Sequence, residues 1–176
     1  MKKEASMASL IIVLCAICLV TSLLLGLVND VTCGPIAEIN AAKTAKAMNE
    51  VLAADSYDAV EYTGSDSQIS AISKAGDKGY VVELSVSGSQ GMIDMVVGVN
   101  ADGTVSGVSI VKMSETAGLG TKANEPEFRA QFVGTAGDCA VDKDGGSIAA
   151  ITGATVTSRA VANGVNAAVA AVATMG

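Results

Sequence analysis

The sequence contains no histidine and no tryptophan, and aromatic residues make up only 3% of it. Histidine is the commonest general base and the commonest metal ligand, so its absence excludes Ser-His-Asp triads and histidine-based zinc sites. The few aromatic side chains and the net charge of −7 argue against a surface that stacks on or attracts nucleic acids. We therefore expect no catalytic residues of the hydrolase kind, no metal site and no nucleic-acid partner.

Charged residues are also absent from the predominantly apolar segment Met7–Val28. As an α-helix this segment would be roughly 33 Å long, enough to cross a bilayer. It is longer than the apolar region of a signal peptide, about 7–15 residues, and no small-residue cleavage pattern follows it. We predict a retained transmembrane helix over 7–28. Because Lys2 and Lys3 precede it, the positive-inside rule places residues 1–6 in the cytoplasm and the bulk of the chain on the extracytoplasmic side of the cell (inner) membrane.

The chain has four cysteines, two inside the predicted anchor and two beyond it. Cys15 and Cys18 have the C-x-x-C spacing of redox and metal sites, but in an apolar helix cysteine mostly acts as a small hydrophobic residue. Cys33 and Cys139 lie on the predicted extracytoplasmic side, where the environment permits disulfides. The sequence leaves open whether these two cysteines are joined.

Beyond the anchor, the sequence predicts a linker helix over 29–54 and a domain over 55–176. Apolar residues recur at helical spacing from Ile36 onward, after a break expected at Cys33–Pro35. A first strand is expected around Ala59–Tyr62. Three later runs then alternate as strands do: "GYVVELSVSG", "MIDMVVGV" and "TVSGVSIVKM". A "GSQG" turn and a hairpin turn at Asn100–Gly103 separate these runs, which predicts an antiparallel meander.

Helices are predicted after the meander. Pro126 suits the first turn of a short helix, and Phe128 and Phe132 would face the core from it. A terminal helix is expected to begin near Thr157 or Ser158. It would bury a stripe of valines, which are Val161, Val165, Val169 and Val172. The predicted fold class is α+β, with helices packed on a sheet meander behind a single N-terminal transmembrane helix.

Hydroxyl groups crowd the segment "ITGATVTSRAV" at Thr152, Thr155, Thr157 and Ser158. A helix cap explains one or two of them, because Thr157 or Ser158 would suit an N-cap. Thr155 lies just before the predicted helix, where free N–H groups and the helix dipole favour a phosphate. Gly153 and Ala154 leave room for a bulky group near the backbone. Capping and attachment of a phosphate-bearing cofactor both fit this pattern.

A second segment, "SETAGLGTK", places Gly118 and Gly120 around Leu119 and ends in Lys122. It is compatible with an ordinary strand-to-helix connection. It also has the parts of a binding loop, because glycines let a ligand approach the backbone, Leu119 can pack on a flat ring and Lys122 can stabilise negative charge.

In this order, "SETAGLGTK", "EFRAQFVG" and "ITGATVTS" resemble the FMN-binding domain of the G subunit of the Rnf complex. The C subunit of the sodium-pumping NADH:quinone oxidoreductase (Nqr) shares that domain. The resemblance covers the whole chain, including the anchor, and it implies FMN joined through its phosphate to Thr155 by a dedicated flavin transferase that uses FAD. It implies two further groups of site residues. Thr152, Gly153, Ala154 and Thr157 would line the attachment site, and Glu115, Thr116, Leu119, Gly120 and Lys122 would contact the flavin and its ribityl chain.

The chain departs from the family pattern at two positions. Ala117 stands where the loop commonly has proline, which loosens the backbone without removing a contact group. Ala149 stands six residues before Thr155, where the transferase's recognition pattern often has aspartate, and Asp142 and Asp144 are out of register with it. The resemblance therefore leaves the efficiency of flavin attachment open.

The resemblance implies an electron-transfer subunit of an ion-translocating ferredoxin:NAD oxidoreductase, with the other Rnf subunits as partners. The short chain favours the G subunit of Rnf over the alternative, the C subunit of Nqr. An alternative from a different functional class is that the chain is an anchored ectodomain that carries no cofactor and serves binding or assembly. An unmodified Thr155 and a colourless protein would distinguish it.

Overall fold

The computed structural model describes residues 7–175, so the predicted cytoplasmic segment 1–6 lies outside the described residues. The elements follow in the order α1 (Met7–Val51), β1 (Asp58–Val60), β2 (Ile69–Lys74), β3 (Gly79–Ser87), β4 (Met92–Asn100), β5 (Val105–Met113), α2 (Pro126–Ala130) and α3 (Thr155–Ala173). Short 3₁₀ helices occur at Gly120–Asn124 and Asp142–Asp144. The chain divides after Ala42 into two compact units.

Helix α1 is long and apolar enough to cross a membrane. The predicted break at Cys33–Pro35 was wrong, because α1 continues through Pro35. A proline inside a helix removes one hydrogen bond to the carbonyl four residues earlier, here that of Val31. Val31 is exposed, so this carbonyl is not enclosed by the protein. The last turns of α1, from Lys43, belong to the second unit and fold with the domain.

The five strands form one antiparallel sheet in the order β1-β2-β3-β4-β5. The three predicted runs are confirmed as β3, β4 and β5, and the strand expected near Ala59 is β1. Strand β2 was not predicted. A register shift between Ile69 and Ala71 interrupts its pairing with β3, so its apolar residues Ile69 and Ile72 do not have the two-residue period that marks a strand.

The predicted hairpin turn at Asn100–Gly103 is confirmed. Gly103 has a φ of +83° and donates its N–H to the carbonyl of Asn100 at 2.9 Å. The carboxylate of Asp102 accepts hydrogen bonds from the N–H and the hydroxyl of Thr104, which lower the pKa of Asp102. The turn therefore uses glycine for a backbone conformation that other residues rarely adopt.

One face of the sheet is covered by α3 and the loops that precede it. The predicted valine stripe of α3 is buried there, and Phe128 and Phe132 join the same core in an edge-to-face pair with ring centroids 5.4 Å apart. Pro126 opens α2 as predicted. Cys139 is buried in this core and its thiol donates to Thr135 Oγ1, while all four cysteines are free. Burial raises the pKa of the Cys139 thiol.

The opposite face of the sheet is covered by the end of α1, where Val51 and Leu52 pack on Val81 and Val96. Gly98 and Gly107 lie opposite each other on β4 and β5 beneath this helix end. A Cβ at Gly98 would lie 2.8 Å from the carbonyl oxygen of Val51. The glycine pair therefore permits the close approach of the helix backbone to the sheet.

Three polar side chains fasten the same helix end. Ser106 donates its hydroxyl to the carbonyl of Val51 at 2.7 Å. The guanidinium of Arg129 lies 3.0 Å from Glu50 Oε1 and also donates to the carbonyl of Val108, while Ser109 donates to Glu50 Oε2. The hydrogen bond from Arg129 lowers the pKa of the Glu50 carboxyl.

We expect Gly98→Ala to lower the free energy of unfolding of the domain by about 1–3 kcal/mol, because its methyl group would collide with Val51. Denaturant unfolding of the full chain in detergent measures the change. The matched control is Gly34→Ala, since nothing lies within 4 Å of a Cβ there. Equal stabilities of the two variants would contradict the proposed close packing.

Acidification should weaken the contact between Glu50 and Arg129. A carboxyl whose pKa is lowered by folding stabilises the native state above its unfolded pKa, and that contribution disappears as the pH falls through the native pKa. The side chain of Glu50 is 51% exposed, so we expect a contribution of about 1 kcal/mol or less. Unfolding curves between pH 7 and pH 3 should show a smaller acid-induced loss for Glu50→Gln than for the wild type. Arg129→Met should reduce the same loss, and an unchanged pH profile in both variants would refute the coupling.

Candidate functional site

The terminal helix begins earlier than predicted. Its first residue is Thr155, and Ala154 is the N-cap, with no side-chain hydrogen bond to the helix start. The prediction that Thr157 or Ser158 caps this helix was therefore wrong. Both side chains are fully buried, and their hydroxyls bind other partners. Gly153, with a φ of +81°, makes the turn into the helix.

Ser158 holds the segment before α3 against its first turn. Its hydroxyl accepts a hydrogen bond from the N–H of Ile151 at 3.1 Å and donates one to the carbonyl of Ala154 at 3.0 Å. The short stretch 151–154 is thereby fixed at both ends. Of the four residues predicted to line the attachment site, Thr152 and Gly153 are exposed.

Thr155 lies half-buried at the start of the 19-residue helix α3. The backbone N–H of Ser158 donates to the carbonyl of Ala154, which closes the first turn. The N–H groups of residues 155–157 precede that bond and have no partner within the helix. These N–H groups and the helix dipole favour a negatively charged group, such as a phosphate, at the start of α3.

The glycine loop Ser114–Lys122 follows β5 and includes the first residues of the 3₁₀ helix Gly120–Asn124. Gly118 has a φ of +74° and donates its N–H to the hydroxyl of Thr121, while the carbonyl of Thr116 accepts hydrogen bonds from Leu119 and Thr121. Hydrogen bonds within the loop therefore hold it in a compact conformation. Leu119 is 42% exposed despite being a large apolar residue.

The structure brings the two predicted motifs into contact. A Cβ built at Gly153 would lie 3.2 Å from Leu119 Cδ2, and one built at Gly120 would lie 3.1 Å from Thr157 Oγ1. The hydroxyl of Thr157 donates to Glu115 Oε2 at 2.8 Å. Three of the predicted site residues are buried, which are Gly120, Ala154 and Thr157. Glu115 and Thr155 are half-buried. The other five are exposed, and they are Thr116, Leu119, Lys122, Thr152 and Gly153.

Sequence reasoning missed the part played by the β3–β4 turn. The N–H groups of Ser89 and Gln90 donate to Glu115 Oε1 at 2.8 and 3.2 Å. The "GSQG" stretch was interpreted only as a turn. No local pattern could show that its amides face a carboxylate 25 or 26 residues further along the chain.

Two further side chains hold the segment that precedes the hydroxyl-rich stretch. Gln131 Oε1 accepts the N–H of Ala149 at 2.7 Å, and Asp142 Oδ1 accepts the N–H of Ala150 at 3.2 Å. Asp142 does not occupy the sequence position of the aspartate in the family pattern, where this chain has Ala149. Its carboxylate nevertheless lies beside the segment that contains Ala149. Asp144 instead pairs with Arg159 at 2.6 Å, and this contact lowers the pKa of Asp144.

Comparison with known proteins identifies the family of this chain. Residues 88–170 match the family model described as the FMN-binding domain. The chain is 34% identical over 180 residues to the G subunit of the Na(+)-translocating ferredoxin:NAD(+) oxidoreductase complex of Acetobacterium woodii, with 88% of this chain and 86% of the relative covered. It is 44% identical over 93 residues to the G subunit of the ion-translocating oxidoreductase complex of Methanosarcina acetivorans, which covers 52% of this chain and 50% of that relative. The chain thus spans half the length of the latter protein.

A solved structure shares the fold. It is the C subunit of the Na(+)-translocating NADH-quinone reductase from Parabacteroides distasonis, with a TM-score of 0.53, 20% identity, and coverage of 76% of this chain and 90% of that one. The fold and the family-model match together define an FMN-binding domain that follows an N-terminal apolar helix. The chain belongs to the G-subunit family of ion-translocating oxidoreductase (Rnf) complexes, as the sequence motifs predicted.

Ser158→Ala should lower the free energy of unfolding by about 1–3 kcal/mol, because the N–H of Ile151 would lose its partner in a part-buried position. Thr152→Ala is the control, since Thr152 is exposed and its truncation should change stability by no more than about 0.5 kcal/mol. Denaturant unfolding of both variants measures the difference. A neutral Ser158→Ala would show that this hydroxyl does not hold the segment in place.

Proposed function

We propose that the chain is the electron-transfer subunit of a membrane-bound, ion-translocating ferredoxin:NAD oxidoreductase, and that it carries FMN as a phosphoester on Thr155. The names of its relatives and the FMN-binding domain match support the electron-transfer role. The observation that carries the attachment site is the half-buried Thr155 at the start of α3, next to the glycine loop.

The residues around Thr155 fit a flavin phosphate. The free N–H groups of the first turn would bind the phosphate oxygens, and the helix dipole would stabilise their charge. Gly153 carries no side chain on the exposed side of the acceptor, so a bulky group can approach. Leu119 would pack against the ring system, and Lys122 would add a positive charge.

Attachment would need a dedicated flavin transferase that uses FAD. Thr155 would supply the hydroxyl oxygen of the new ester bond to the phosphorus of the FMN half. The phosphoanhydride bond of FAD would break, AMP would leave and the hydroxyl proton would pass to solvent. The product would be a protein with a phosphothreonyl flavin.

FMN, when bound, supplies the capacity to accept and pass on electrons, and the protein positions and tunes it. In the proposed arrangement α1 anchors the chain in the cell membrane and the domain lies on the extracytoplasmic side. A covalent bond prevents the loss of the cofactor by diffusion from that side. Ion pumping would take place in partner subunits, because the anchor 7–28 has no ionisable side chain other than cysteine.

The fold shared with the C subunit of Nqr makes a sodium-pumping NADH:quinone oxidoreductase the second candidate. The G-subunit relatives, with 34% and 44% identity against 20% for that structure, favour the Rnf complex. Copurification from native membranes distinguishes the two assemblies, because each would bring its own set of partner subunits.

We expect the protein from native membranes to have a mass larger by one FMN minus water, with the added group on the peptide that contains Thr155. Thr155→Val should abolish the addition, because valine keeps the shape of the side chain but has no oxygen to form the ester. Intact-mass measurement and peptide mapping provide the readout. Thr152→Val is the matched control, and it should retain the flavin.

An unmodified Thr155 in protein from native membranes would overturn the covalent attachment. A colourless protein would in addition favour the cofactor-free binding or assembly role. Flavin found on Thr152 or Thr157 would instead agree with the proposed function but would assign the attachment to a residue other than Thr155.

A further inference from the structure

Glu115 already has protein donors on both carboxylate oxygens. Oε1 accepts the N–H groups of Ser89 and Gln90, and Oε2 accepts the hydroxyl of Thr157 at 2.8 Å. The carboxylate thereby links the β3–β4 turn, the glycine loop and the first turn of α3. Hydrogen bonds to a charged acceptor are stronger than those between neutral groups.

The space around this carboxylate is shaped to hold it. Gly120 is buried against it, and a Cβ there would lie 2.7 Å from Oε2. Gly88 lies on the other side, where a Cβ would overlap Oε1. Any larger residue at either position would displace the carboxylate from its donors.

The bond from Thr157 connects the two halves of the candidate site. Thr157 is two residues after the acceptor and fully buried, so its hydroxyl has no access to water. Glu115 is four residues before Leu119 on the tightly wound loop. The link therefore determines where Leu119 lies relative to the segment that carries Thr155.

We propose that Glu115 is a positioning residue that acts through Thr157 and keeps the glycine loop against the start of α3. This inference rests on the proposed flavin attachment and assigns Glu115 a role other than direct contact with the cofactor. Loss of the link would let the loop move away from Gly153 and would slow attachment at Thr155.

The test uses the full chain in membranes, supplied with FAD and the flavin transferase. Flavin attachment is followed by peptide mass, and hydrogen exchange is measured over residues 114–122. In Glu115→Ala we expect exchange of the loop to be faster, and attachment slower, by about tenfold or more, as the loss of a hydrogen bond to a charged group implies. Thr157→Val should show the same direction of change, and the double variant should be no worse than Glu115→Ala.

Two controls separate positioning from general stability. Glu115→Gln keeps the size of the side chain, with a carbonyl for the turn amides and an N–H for Thr157, so it should recover part of what Glu115→Ala loses, but less than the charged carboxylate provides. Ile72→Val removes a methyl group from the core on β2, away from the site, and should not selectively expose the loop.

Wild-type attachment by Glu115→Ala would overturn the inference, as would slowing of the same size in Ile72→Val. If the wild-type chain gains no flavin at all, the proposed function fails. In that case the exchange data still decide whether Glu115 holds the loop. Unchanged loop exchange in Glu115→Ala would then refute positioning as well.

Discussion

The candidate site depends on how closely α3 approaches the sheet. Gly164 makes this approach possible, because a Cβ at this position would lie 2.9 Å from Val86 Cγ1 and 3.0 Å from Met95 Sδ. With the helix seated there, its valines fill the core and its N-terminus is directed to the edge where β5 ends. The glycine loop leaves the sheet at the same edge. The two motifs therefore meet because of helix packing at Gly164, which lies outside both of them.

The four hydroxyl residues of the segment 152–158 fall into two groups, those whose hydroxyls bond within the buried domain and those that lie nearer the solvent. Ser158 and Thr157 are fully buried and make hydrogen bonds within the domain, whereas Thr152 is exposed and Thr155 lies between these extremes. An acceptor needs a hydroxyl that a partner enzyme can reach and a fixed backbone beneath it. Under the proposed function Thr155 meets both needs, because it is half-buried and because Ala154 before it and Thr157 after it are held by hydrogen bonds within the domain.

Much of this arrangement could be predicted from the sequence. Strands β3, β4 and β5 alternate in polarity between clear turn signals, and the valines of α3 repeat at helical spacing, so local periodicity was sufficient. The start of α3 was misplaced because hydroxyl residues are common caps, while here Ala154 takes that position and the hydroxyls turn inward. Strand β2 was missed because a bulge interrupts its period. The donors to Glu115 come from a turn distant in sequence, and only the tertiary fold brings them together.

The scarcity of aromatic residues bears on why a covalent bond suits this site. Flavin sites commonly gain affinity from apolar and aromatic walls that enclose the ring. The described site offers Leu119 and the exposed Val156 as its large apolar side chains, both on the surface. Such a surface would hold a free flavin weakly, and on the extracytoplasmic side proposed for this domain a weakly held cofactor would be lost. Under the proposed function the ester on Thr155 removes the need for affinity, so the loop has only to place the ring for electron transfer.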